Sequence, residues 1–526
     1  MQCCSKKSGV IWSFASGIVL IIIGLIVTIL IPSVVEHIAV EQAYIGTVIK
    51  NGTKVPSSVT ERWAQPLYDM RQHVWIYNVT NPDDIMKGGK PKVNEVGPFV
   101  FSEKQKKNFT FSEDESRVSY RNNHLYMYNA SLSCEKCKLD LLVTVPNPVF
   151  QKLVDFAATQ TTVIRFLLES ILSTAKETAF ITVPVREALF DGFRDPLLSK
   201  ICNNTLLKIF CKNGLIPEKI GFLANQNNTD DGLYEVSTGL KDRMSIGKVF
   251  SFNNLTAIPN VWDDPSAGFV NGTDGQLFPP LIQKGDSLHV FAGPMCRMIA
   301  LDYKDVSEFH DVPAYRFEMP NRLFDTTDPS NKIFCNKNDT PRFFDGSIQP
   351  DGCLPPGFID IGRCLPSAPR IYLSQGHFLG APTEVWSSVE GIELPNSQHD
   401  KTVVDVEKTS GVPIRAKRIM QINMGMRKGN LNVLKNTTNM IMPVLWMNET
   451  AWLDEGTRAQ LLQLNYALQG SSVIGNIFVC AGGVILVALA AAILIYKVTK
   501  EQSLDRHPIL QEEEEVAVES AANEED

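Results

Sequence analysis

The sequence predicts an α+β body built on a large, mostly antiparallel sheet and tied to a membrane by two helices. Three observations carry that prediction. One long uncharged run sits near each end, several short stretches alternate apolar with polar residues, and one long stretch repeats apolar residues at helical spacing.

Residues 1–9 form a short tail holding Lys6 and Lys7, and residues 10–31 form the first run, from Val10 to Ile31. Its 22 residues reach about 33 Å as helix, enough for a hydrocarbon core of about 30 Å. Residues 473–496, from Val473 to Tyr496, form the second run. Lys497 and Lys500 follow it, so the flanking charge predicts that both tails are cytosolic and that residues 32–472 lie on the lumenal or outer side. A cleaved signal peptide is the alternative for the first run. Its apolar stretch exceeds the usual core of about 7–15 residues, and no small-x-small site follows. Neither span carries Asp, Glu, Lys, Arg or His, which speaks against a channel. Gly17, Gly24, Gly475, Gly482 and Gly483 permit close helix packing and self-association, a route to a homo-oligomer.

Residues 32–472 hold all eleven Asn-X-Ser/Thr acceptors: Asn51, Asn78, Asn108, Asn129, Asn203, Asn227, Asn254, Asn271, Asn338, Asn436 and Asn448. Glycans are added on the lumenal side, so their clustering agrees with the topology read from charge. Eight of the eleven cysteines lie in the same segment: Cys134, Cys137, Cys202, Cys211, Cys296, Cys335, Cys353 and Cys364. An even number in an oxidising space reads as disulfides. Cys134 and Cys137 form a CxxC, but without a strand-to-helix setting a structural bridge is the better reading than a redox site. Cys3 and Cys4, beside the first span, are read as palmitoylation sites against the alternative of unmodified thiols. Cys480 is read as a packing residue within the second span.

Within the body, Thr402 to Glu407 and Ile414 to Arg427 flank a turn at Thr409-Ser410-Gly411. In the second arm Met420, Ile422, Met424 and Met426 alternate with Gln421, Asn423 and Gly425, which predicts one apolar and one polar face. Leu288 to Ala292, Arg297 to Tyr303, Ala314 to Met319 and Arg370 to Ser374 read as further strands. Val149 to Ala179 reads as one helix, with Val149, Leu153, Ala157, Ile164, Leu168, Ile171 and Ala175 at helical spacing.

The formal net charge of −8 is concentrated in residues 497–526, where three basic residues face ten acidic ones. The rest is near neutral, which argues against nucleic acid. The tail from Gln511 onward is too poor in large apolar residues to fold by itself and is expected to stay disordered. Ahead of it, Asp505, Ile509 and Leu510 stand in a pattern that resembles the acidic dileucine signal read by clathrin adaptors for delivery to endosomes and lysosomes. The chain has no Gly-x-Ser-x-Gly, no His-Glu-x-x-His and no phosphate-cradling loop, and its eight histidines show no ligand spacing. An enzyme is the weakest class, and no cofactor or metal is implied. His377 is read as a packed or hydrogen-bonded side chain rather than a ligand.

Several phrases, in order from span to span, resemble the class B scavenger receptor family: WIYNVTNPDDI from Trp75, NEVGPFVF from Asn94, NTDDGLYEVSTG from Asn228, NGTDGQLFPP from Asn271, CRMIALDY from Cys296, GHFLGA from Gly376, RIMQINMGMR from Arg418 and MPVLWMNET from Met442. The resemblance implies an irregular antiparallel barrel topped by a helical bundle, with an apolar tunnel leading toward the membrane. It pairs Cys296 with Cys364 and Cys335 with Cys353, bridges worth about 4 and about 3 kcal/mol on a chain-entropy basis. Two further family cysteines are absent. Cys134, Cys137, Cys202 and Cys211 depart from the family pattern, and both local and crossed pairing stay open.

By resemblance, the helix from Val149 forms part of the apex, Lys176 falls nearest the family's apical lysines, and Met420, Ile422 and Met424 help to wall the interior. A solvated helix-end lysine and ordinary core are the respective alternatives. The implied function is capture of lipids, fatty acids, sterols or lipoproteins at the apex and passage of the hydrophobic molecule to the membrane, at the cell surface or in endosomes and lysosomes. A second expectation is a sorting receptor for a soluble lysosomal hydrolase, as in the lysosomal member. The histidine that member places on this helix is Thr162 here, so acid-triggered release at that position has no support.

Overall fold

The computed structural model describes residues 2–175, 178–204, 219–336, 343, 352–365 and 368–522. Lys176, Cys211 and Asn338 lie outside the described residues, as do the side chains of Cys3, Cys4, Asp505, Ile509 and Leu510. The chain divides into two compact units, Met1–Ala39 with Leu462–Asp526, and Val40–Leu461.

The first unit is built from the helices Gln2–Gln42 and Glu455–Ala522. Both contain stretches long and apolar enough to cross a membrane, with mean hydropathies of 3.1 and 2.8. The helices overrun the uncharged runs. Asp454 caps the second by accepting from Thr457 N at 3.0 Å, and helix-forming Glu and Ala carry it to Ala522, through the segment expected to be disordered. The two helices pack antiparallel through glycine. A methyl group added at Gly24 would sit 2.6 Å from Gly475 O, and one added at Gly482 would sit 2.5 Å from Gly17 O. Close backbone approach is how helices gain contact where lipid removes the hydrophobic drive. Gly483 has nothing within 4 Å, so it takes no part in this packing.

In the second unit, thirteen strands form one sheet among the described residues. In chain order they are β1 Asp69–Val79, β2 Val93–Phe111, β3 Arg117–Tyr128, β4 Thr229–Ser237, β5 Val249–Phe252, β6 Ser287–Ala292, β7 Arg297–Phe309, β8 Val312–Glu318, β9 Ile359–Asp360, β10 Ile371–Ser374, β11 Val403–Val406, β12 Pro413–Met426 and β13 Met440–Trp452. The strands run β6-β7-β8-β11-β12-β13-β1-β2-β3-β4-β5, all antiparallel, and β10 joins the free edge of β12 beyond β11 with β9 beside it. The two ends of this path nearly meet. Val249 N of β5 donates to Gly272 O at 2.9 Å, Thr273 N donates to His289 O of β6 at 2.7 Å, and Phe291 N donates to Thr273 O at 2.8 Å. A two-residue seam thus links the outermost strands into a nearly closed, barrel-like sheet. Gly272 has φ +99°, and a side chain there would strike His289 O, so the seam requires glycine.

The single helix expected from Val149 to Ala179 is two, Pro148–Ala158 and Thr162–Ala175. Asn147 caps the first by accepting from Val149 N at 2.9 Å, while Thr159 closes it, its hydroxyl donating to Phe156 O at 2.9 Å. A run of Thr159, Thr161 and Thr162 favours such local bonding over helix continuation. These helices, Pro196–Cys202 and the hairpin Leu142–Pro146/Phe180–Pro184 share one apolar core with β12 and β13.

Disulfides join Cys134 to Cys137, Cys296 to Cys364 and Cys335 to Cys353. Cys202 is also disulfide-bonded. Cys480 is free and exposed on the helix Glu455–Ala522, not packed. Among the acceptor asparagines, Asn51, Asn108, Asn203, Asn254, Asn271 and Asn436 are exposed, whereas Asn78, Asn129, Asn227 and Asn448 are half-buried.

Candidate functional site on the inner face of the sheet

Strand alternation places every second residue of β12 on the inner face, and the neighbouring strand matches it. Met420 faces Met447, Ile422 faces Leu445, Met424 faces Met442 and Met426 faces Met440. Of the sequence-predicted lining residues, Ile422 and Met424 are buried and Met420 is half-buried, and all pack in or against the core shared with the helices. Unbranched thioethers make this an adaptable apolar wall.

The opposite face of β12, predicted to be polar, is polar but also buried. Gln421 and Asn423 are fully covered: β10 pairs alongside them, Ser374 Oγ accepts from Asn423, and the turn after β10 brings His377 N onto Gln421. Gln421 accepts from Tyr77 Oη at 3.2 Å and from His377 N at 2.8 Å, and donates to Asn423 Oδ1 at 2.8 Å. His377 sits in the left-handed region with φ 51°. Its Nδ1 lies 2.9 Å from Asp400 Oδ1 and its Nε2 lies 3.5 Å from Glu95 Oε2. Burial alone would lower the imidazole pKa, but the two carboxylates outweigh it and raise it to about 9. Glu95 also accepts from Trp446 Nε1 at 2.6 Å. His377 is therefore an ion-paired structural cation, consistent with a packed side chain.

The inner face is layered, which the sequence reading missed. Along β2, Phe99 and Phe101 belong to the methionine-walled core, Glu103, Gln105 and Lys107 follow, and Phe109 and Phe111 pack on a second core around Trp63, Tyr120, Tyr234 and Phe252. A charged layer thus separates two apolar ones. In it, His124 Nδ1 is 2.8 Å from Glu103 Oε1 and its Nε2 is 4.0 Å from Asp231 Oδ2. Arg418 of β12 pairs with Glu449 of β13 and also feels Glu103, three strands along the path, so both project inward.

Burial is the largest influence on the Arg418 guanidinium and would lower its pKa, but Glu449 and Glu103 hold it above the usual value. The same side chain keeps 48% of its surface accessible. Burial raises the carboxyls of Glu449, Asp231 and Asp274. It would also raise that of Glu103, but the hydrogen bonds from His124 and Gln105 bring it below the ordinary range. Lys107, beneath the rings of Trp63 and Tyr120, is pushed down by burial to about 8. The recoverable signal was the run Glu103, Gln105, Lys107 at period two between paired phenylalanines.

Comparison with known proteins fits this architecture. The model of a family described as the CD36 family matches residues 15–494. The chain belongs to the CD36 family. Its CD36-family relatives include Lysosome membrane protein 2 of Mus musculus, 29% identical over 437 residues, covering 83% of this chain and 85% of the relative. Scavenger receptor class B member 1 of Sus scrofa is 27% identical over 447 residues, covering 84% and 80%. Sensory neuron membrane protein 2 of Anopheles gambiae is 27% identical over 469 residues, covering 75% and 78%. By their names these CD36-family proteins are receptors and membrane proteins rather than enzymes.

Proposed function

We propose that this CD36-family chain is a two-span receptor that captures lipids or lipid-bearing particles on its exposed helices and passes the hydrophobic molecule through the interior of the sheet to the membrane. The observation that carries the reading is the methionine-walled inner face. Each methylene exposed to water costs about 0.8 kcal/mol, so a sixteen-carbon chain faces about 12 kcal/mol outside such a passage. Capture is supported by the helix Thr162–Ala175, where Val163 and Phe166 remain 68% and 70% exposed on one side. The charged layer would select head groups at one depth.

The test is uptake of a labelled long-chain fatty acid or sterol by cells expressing Met420→Trp at wild-type surface level. Bulk at that position should cut uptake severalfold while leaving particle binding intact; uptake equal to wild type sinks the reading. Lys176→Glu tests whether that lysine contributes to anionic-particle capture, and unchanged uptake removes it. Mass spectrometry of lipids carried through purification narrows the ligand class.

The second reading is a sorting receptor for a soluble lysosomal hydrolase. The apolar pair Val163 and Phe166 also suits a protein partner, and Lysosome membrane protein 2 is among the relatives. Co-precipitation of a lysosomal enzyme, lost in Phe166→Asp, would promote it. In either reading both tails are cytosolic, Cys3 and Cys4 are palmitoylated, and Asp505, Ile509 and Leu510 direct the chain to endosomes and lysosomes. Imaging of an Ile509→Ala, Leu510→Ala double variant decides the address: retention at the cell surface supports the signal, and lysosomal delivery removes it.

A further inference from the structure

Away from the inner face, a cavity of about 360 Å³ opens beside the two longer disulfides. Arg297, the first residue of β7, lines it and is only 4% exposed. Its guanidinium lies 3.6 Å from the centroid of the Phe334 ring, and its Nε has no acceptor. Among the described residues no carboxylate comes within ion-pair distance, and burial pushes the Arg297 pKa down to about 10 with no acidic neighbour opposing it.

The neighbouring cations are not short of partners in the same way. Arg363 donates to Asp263 Oδ1 at 2.7 Å, although its buried Nη1 also lacks an acceptor, and Arg370 is held by Asp155 at 3.0 Å. Asp360 lines the cavity too, but accepts from Gly362 N at 3.0 Å, and burial raises its carboxyl to about 6. A buried arginine without a counter-charge is costly to fold around, which is why such groups are almost always paired. Here the missing partner faces a space of ligand size, walled on its other sides by Phe358 and Tyr372.

We propose that this cavity is an anion-binding site in which Arg297, with Arg363 beside it, receives an oxyanion borne on a compact apolar body. A carboxylate or phosphate would supply the acceptor that Arg297 lacks, in the planar geometry a guanidinium favours. Phe334, Phe358 and Tyr372 would receive the carbon skeleton. The site is separate from the methionine-walled face and does not depend on passage of lipid through it.

The experiment is isothermal titration calorimetry on the full-length glycosylated protein in detergent at low chloride, with naphthalene-2-acetate, its neutral amide and inorganic phosphate. The acid should bind at least tenfold more tightly than the amide. If phosphate binds as tightly as the acid, the site still takes an oxyanion and the natural ligand is the bare ion. Arg297→Gln should lose at least tenfold in affinity while its melting temperature holds or rises, since an unpaired buried charge has gone; an arginine serving only structure would instead lower it. Leu323→Trp adds bulk to the cavity lining while keeping Arg297, and should abolish binding even if Arg297→Gln does not fold. Equal binding of acid and amide, no binding of either anion, or unchanged affinity in Leu323→Trp overturns the proposal.

Discussion

Replacing His377 by Gln removes the cation from a cluster in which Asp400 is almost fully buried and Glu95 nearly so. Two carboxylates are left facing a neutral amide, and breaking a buried pair in this way typically costs about 3–5 kcal/mol. The pH dependence makes the prediction specific. The imidazole moves from 6.5 to about 9 on folding, so between those values the native state holds a proton that the unfolded state has released. Its stabilisation is complete below pH 6.5 and is lost as pH rises through 9, at about 1.4 kcal/mol per unit, or about 3 kcal/mol in all. Chemical denaturation of wild type and His377→Gln in detergent, followed by tryptophan fluorescence at pH 6, 7.5 and 9, reads the difference directly. The gap should be widest at pH 6 and shrink toward pH 9. A gap that stays constant, or widens with pH, refutes the ion-paired assignment.

Three further outcomes follow from other parts of the chain. Arg418→Met should destabilise the protein by about 2 kcal/mol, less than a fully buried break because the side chain is half accessible, and Arg418→Met with Glu449→Gln should recover most of it in a melting assay. Gly24→Leu, which drives a side chain into Gly475 O, should lower the melting temperature and the yield of detergent-extracted protein by the overpacking cost of about 1–3 kcal/mol, whereas Gly483→Leu should be tolerated. Site-resolved glycan analysis should find Asn51, Asn108, Asn203, Asn254, Asn271 and Asn436 occupied and Asn227 bare, because the Asn227 amide already exchanges hydrogen bonds with the backbone of Tyr126 at 2.8 and 3.2 Å.

Much of the architecture was legible because its signals are periodic. Uncharged runs marked the two helices long and apolar enough to cross a membrane, and the alternation of Met420, Ile422, Met424 and Met426 located the wall of β12. Its partner face misled, since Gln421 and Asn423 look solvent-bound until β10 and the turn at His377 bond to them, and no local pattern announces a segment arriving from about fifty residues upstream. The break between Pro148–Ala158 and Thr162–Ala175 was hidden because apolar spacing continues across it, while threonine hydroxyls decide the backbone. The pairing within the charged layer and the solitary Arg297 were invisible for a different reason. Whether a charge is paired depends on strands up to three places apart along the sheet, and single-chain spacing carries no information on that.

The seam at Gly272 and Thr273 gives the sheet a zip with very few teeth. Pairs such as β12 with β13 and β2 with β3 share long ladders, so parting them means breaking many bonds together; here four amide bonds, among them Asp274 N to Gly247 O at 3.0 Å, hold the circuit shut. A hoop fastened this way gives at its clasp first, and Asn271, an exposed acceptor next to that clasp, would place a bulky sugar where the hoop opens. Guarding one narrow joint against intrusion by another chain asks far less of the molecule than shielding two raw margins.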